Sequence, residues 1–123
     1  MFRAVAASLP AARRWLRNRL RSADLTAADV ERLELMTSEA ATNAVQHGAG
    51  DHFTITVDVG DSVTVAVHDN APGRPALRRA GSWDTGGRGL MLIDTLADAW
   101  GVASREHGKW VWFRVDRRVE SYA

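Results

Sequence analysis

A single change of hydrophobic period constrains this chain more than any other feature. From Thr26 to Gly48 apolar residues recur at the 3.6-residue spacing of a helix; from His52 to His68 they recur at every second position. In the first stretch Val30, Leu33, Ala40 and Ala44 form an apolar stripe completed by Thr37, and Thr26 with Asp29 three residues later makes a start signal. In the second, Phe53, Ile55, Val57 and Val59 alternate with polar residues, "GD" supplies a tight turn, and Val63, Val65 and Val67 repeat the alternation. A long amphipathic helix running into a hairpin with one apolar face calls for a helical layer on a sheet.

The remaining segments extend that pattern. A small strand fits residues 2–7. Pro10 suits a first helical turn, and Ala12, Trp15, Leu16 and Leu20 follow at helical spacing. After Asp69 comes a loop rich in breakers, then a third helix over "LMLIDTLADAW" and a second hairpin over "GVASREHGKWVWFRV", turning at Glu106–Gly108. The closing "DRRVESYA" reads as a frayed tail. The order predicts an α+β two-layer sandwich, a mostly antiparallel mixed sheet with helices packed on one face. A length of 123 residues suits one domain, 1–123, with its core at about 10–115.

Composition narrows the function classes. Sixteen basic against fifteen acidic residues leave a formal charge of +1, so no general nucleic-acid field is expected. With no cysteine there is neither a disulfide framework nor a thiolate metal site. No apolar run approaches membrane-span length, and the five arginines after the first ten residues do not suit a signal peptide, so a cytoplasmic protein is expected.

Within "TSEAATNAVQHG" lie Glu39, Asn43 and His47, each four residues from the next. Residues so spaced drift by only about 40° per step and form one polar stripe. Such a stripe alone is ordinarily a solvated helix face. The downstream loop changes its meaning. About twenty residues without regular structure inside a compact domain usually serve a function. This loop starts at Asp69, carries Gly73, and closes with "GGRGL" at the start of a helix, where glycines allow close approach and free N–H groups attract anions.

The three clusters "EAATNAVQHG", "DNAPG" and "GGRGL", in this order, resemble the ATP-binding fold of the gyrase, heat-shock-90, histidine-kinase and MutL superfamily (the Bergerat-type fold). Within it, "SEAATNAVQHG", "GGRGLMLIDTLADAWGV" and "GKWVWFRV" look most like the stand-alone anti-sigma factor serine kinases. The resemblance implies ATP and Mg²⁺ as cofactors. It implies that Asn43 ligates the Mg²⁺, that Asp69 accepts a hydrogen bond from the adenine amino group, and that Gly73 packs against the base. It further implies a phosphate turn of Gly87, Arg88, Gly89 and Leu90, with Gly86 at a lid hinge, and Glu39 as general base toward a serine or threonine hydroxyl. His47 suits helix-end packing.

Two positions differ from the family's usual pattern. Ala71 and Pro72 follow Asp69 where a glycine is common, and Trp110 follows "GK" where a threonine is common, near the base. By resemblance the partners are a sigma factor and an anti-anti-sigma antagonist, and the chain is a homodimer. Arg13, Arg14 and Arg17 on the first helix offer a surface to an acidic partner. Two other readings stay open: a nucleotide-dependent protein-binding switch without catalysis, and the catalytic fragment of a histidine kinase. Against the second, Ser38 stands where histidine kinases often have histidine.

Overall fold

The computed structural model describes residues 1–47, 50–70, 87–105 and 108–117. Strand β1 (Phe2–Arg3) and a 3-10 turn (Ala6–Ser8) precede helix α1 (Leu9–Leu20), whose Pro10 sits in the first turn where no intrahelical donor is needed. Ala12, Leu16 and Leu20 are the buried face of α1. A second 3-10 turn (Arg21–Ala23) ends at Asp24, which holds a left-handed φ of 53°, a conformation a short polar side chain tolerates.

Helix α2 (Ala27–His47) is capped as its sequence indicates: the Asp29 N–H donates to Thr26 Oγ1 at 3.1 Å. The Asp29 carboxylate is buried and turns to Arg32 at 3.1 Å. Leu33, Thr37, Ala40 and Ala44 face the core, and Met36 and Ala41 widen the stripe. Gly48, the expected stop, lies outside the described residues.

Strands β2 (His52–Val59), β3 (Ser62–Asp69), β4 (Ala99–Arg105) and β5 (Gly108–Asp116) join β1 in one sheet of order β1-β2-β3-β5-β4. Every described pairing is antiparallel. The inner face carries Phe53 and Ile55 of β2, Val63, Val65 and Val67 of β3, and Val111, Phe113 and Val115 of β5, in one core with α1, α2 and helix α3 (Gly87–Leu96). This is the expected α+β sandwich. Phe2 stacks on Phe53 at 5.4 Å and meets Trp15 edge-on at 6.3 Å, which fixes the short β1 to the core.

Three local expectations are corrected. Val59, read as a core position, is 41% exposed because β2 there runs past the helical layer. The third helix ends at Leu96, not Trp100. Asp98 N–H donates to Arg114 O at 2.9 Å and Trp100 pairs with Phe113, so the sheet draws Ala99 and Trp100 into β4. The tail begins later than expected, since Asp116 pairs with Ser62 in β5 and the Arg117 N–H donates to Asp61 O at 3.4 Å. No described helix is long and apolar enough to cross a membrane.

Candidate nucleotide site

Helix α2 and strand β3 bring the first two motif clusters to one end of the fold. Chain direction explains this: α2 exits through residues 50–51 into β2, and β2 pairs antiparallel with β3, so the end of β3 returns to the exit of α2. The Gly50 N–H donates to Asp69 Oδ1 at 3.0 Å across that junction. Asn70, the first residue of the long loop, is tied down as well: its N–H donates to His52 O at 3.0 Å and its Nδ2 to Thr54 Oγ1 at 2.8 Å.

The members of the polar stripe have unlike surroundings. Glu39 is half-buried. Asn43, one turn on, is only 6% exposed, and its Nδ2 has no hydrogen-bond partner among the described residues. A buried amide nitrogen is ordinarily satisfied, so one without a partner among the described residues, one turn from a half-buried carboxylate, suits a ligand. Its two ends exchange by a half-turn, which can present the oxygen to a hard cation or the nitrogen to an acceptor. The stripe is therefore more enclosed at Asn43 than a solvent-bordering position would be. His47 is the last residue of α2.

Asp69 is 2% exposed and belongs to the inner row of β3. Gly87, Arg88, Gly89 and Leu90 form the first turn of α3. The last turn of α3 is held at the remote end of α2, where Arg32 Nε donates to Leu96 O at 3.1 Å, its second nitrogen reaches the same oxygen, and its Nη1 bonds Asp29. Packed along α2 from that clamp, a ten-residue helix spans about 15 Å, which carries its first turn toward the Asn43 end. The Arg32 clamp was not anticipated; a lone arginine on a helix face carries no sequence signal for a carbonyl 64 residues away. Gly73, Ala71, Pro72 and Gly86 lie outside the described residues.

Trp110 sits elsewhere than expected. It stacks on His68 at 4.1 Å with planes 13° apart, on the outer face of the sheet. Strand alternation turns it away from Asp69, and the residue facing Asp69 across the strands is Lys109.

A groove of about 730 Å³ runs between α1 and α2, lined by Arg13, Arg17, Val30, Glu34, Leu35 and Ser38. It lies on the flank of α2 away from Asn43 and is not the motif site. Across it Arg17 grips Glu34 with two hydrogen bonds, 2.9 and 2.8 Å. That hydrogen bond, then the charge of Glu34, raises the Arg17 guanidinium above its ordinary value. Among the described residues no three His, Cys, Asp or Glu side chains gather as a metal site; the metal role implied for Asn43 calls for one amide together with phosphate oxygens.

A family model described as the histidine kinase-like ATPase domain matches residues 2–115. No curated protein matches the chain.

Proposed function

The chain belongs to the histidine kinase-like ATPase domain family, which implies ATP binding, and on that premise we propose that it is a cytoplasmic anti-sigma regulator with serine/threonine kinase activity. It holds a sigma factor inactive and transfers the γ-phosphate of ATP to a hydroxyl of an anti-anti-sigma antagonist. The observation that carries this reading is the pairing of a buried Asn43, whose Nδ2 has no partner among the described residues, with a half-buried Glu39 one turn away.

The donor set fits the nucleotide and its metal. Asn43 would hold Mg²⁺ through its amide oxygen, and the ion supplies charge neutralisation for the phosphates. Asp69, a buried acceptor, reads the adenine amino group. The N–H groups of the first turn of α3, at Gly87, Arg88, Gly89 and Leu90, which have no intrahelical acceptor, receive phosphate oxygens. Glu39 accepts the hydroxyl proton as the antagonist's oxygen attacks the γ-phosphorus and the bond to the bridging β–γ oxygen breaks, leaving ADP and a phosphorylated side chain.

The partner surface falls on α1. Arg17 is engaged with Glu34, so the half-buried Arg13 and the exposed Arg14 are the cations that meet an acidic partner. The working form is a homodimer. Single-turnover phosphate transfer to the antagonist at saturating ATP and Mg²⁺ tests the kinase reading. Transfer supports it. ATP binding with no transfer to any antagonist would make the protein a non-catalytic nucleotide switch.

A further inference from the structure

The apolar floor of the sheet ends in a charged step. Down the inner face Val63 faces Val115, Val65 faces Phe113 and Val67 faces Val111; the next pair in the same register is Asp69 and Lys109. Both are 2% exposed, and Lys109 is the only lysine in the chain. Cross-strand neighbours on one face hold their Cβ atoms about 4.5–5.5 Å apart, well within reach of a flexible four-carbon stem. On its other side Asp69 faces the fully buried Phe53, and Gly50 donates its N–H to Oδ1. Charges this far from water persist only where an opposite charge and hydrogen bonds compensate them.

We propose that Lys109 is a positioning residue for base selection: its buried side chain, opposite Asp69 in the β3–β5 register, supplies the compensating charge that holds the Asp69 carboxylate in its role as acceptor for the base. A charged carboxylate accepts from the amino group of adenine and offers no donor to the carbonyl oxygen of guanine. A buried charge that loses an opposite charge beside it is left poorly compensated, so without Lys109 the carboxylate is held less firmly as an acceptor and discriminates less. Lys109 thus acts on the nucleotide through Asp69, and the inference rests on Asp69 being the base-reading group.

The test compares Lys109→Arg, Lys109→Met and Asp69→Asn with the wild-type protein by calorimetric titration with ATP and with GTP. Lys109→Arg, which keeps the charge, should keep the wild-type preference for ATP. Lys109→Met should reduce that preference by about tenfold or more, the scale of one hydrogen bond to a charged group. A wild-type preference in folded Lys109→Met overturns the inference. If Lys109→Met does not fold by circular dichroism, the double variant Asp69→Asn/Lys109→Met decides. Folding restored by removing both charges supports their mutual compensation; a double variant that also fails to fold overturns it. An unchanged preference in Asp69→Asn overturns the reading of Asp69 itself, and the inference with it. A preference lost in Asp69→Asn but kept in Lys109→Met removes Lys109 alone.

Discussion

The N–H of Gly50 donates to Oδ1 of Asp69 at 3.0 Å, so the exit of the helix that carries Glu39 and Asn43 is tied to the end of strand β3 and its buried carboxylate. Together with the Asn70 bonds to His52 and Thr54, this hydrogen bond sets where the Asp69 carboxylate lies relative to the end of α2. Asp69→Asn preserves the shape and an acceptor for Gly50 but replaces the carboxylate charge with a partial donor. ATP affinity should fall by about 1.5–3 kcal/mol, as for a hydrogen bond to a charged group. Isothermal calorimetry measures it, and equal ATP and GTP affinity in the wild-type protein would remove Asp69 from base recognition.

Asn43→Ala should abolish the Mg²⁺ dependence of ATP binding without unfolding the domain. Because Nδ2 has no partner among the described residues, its removal loses no hydrogen bond there, and alanine is the better helix former. Thermal unfolding should shift by less than about 1 kcal/mol in stability. A variant that fails to fold would make Asn43 a structural residue.

Glu39→Gln should bind ATP normally and transfer phosphate about 10²–10⁴ times more slowly, the usual consequence of removing a general base. Single-turnover kinetics isolate the chemical step from binding. A variant as fast as wild type eliminates Glu39 from the mechanism.

Gly101→Ala tests the outer face of the sheet. A Cβ there would lie 2.7 Å from Trp112 Nε1 and 2.9 Å from Cε2, so the indole must move. The expected loss is about 1–3 kcal/mol of stability, the range for overpacking, relieved when Trp112→Ala is added. ATP affinity should stay constant, because Trp112 lies on the face opposite Asp69. Denaturant titration and calorimetry together check both halves.

Arg32→Met removes the clamp between α2 and α3. It strands the buried Asp29 carboxylate and releases the Leu96 carbonyl. Breaking a largely buried pair from one side should destabilise by about 2–4 kcal/mol. Adding Asp29→Asn should recover part of that loss in urea unfolding, and no recovery would mean that the Leu96 contact dominates.

Period and local chemistry were legible before any coordinates: the apolar stripe of α2, its Thr26 cap, the β2–β3 alternation, and the layering of helices on an antiparallel sheet. Each is a property of consecutive residues, since a helix or strand imposes its spacing on the residues within it. The Glu39–Asn43 stripe was legible for the same reason. Its burial was not, and neither was the length of α3, because β4 draws Ala99 and Trp100 from a stretch with equally good helical spacing. Tertiary structure alone decided which residue confronts Asp69. Lys109 and Trp110 are adjacent in the chain, yet pairing of β3 with β5 puts the lysine beside the carboxylate and the indole against His68 on the far face. Alternation within each strand puts Asp69 and Lys109 on the buried face; that they meet there is set by the register between β3 and β5, a property of the two strands together and of neither alone.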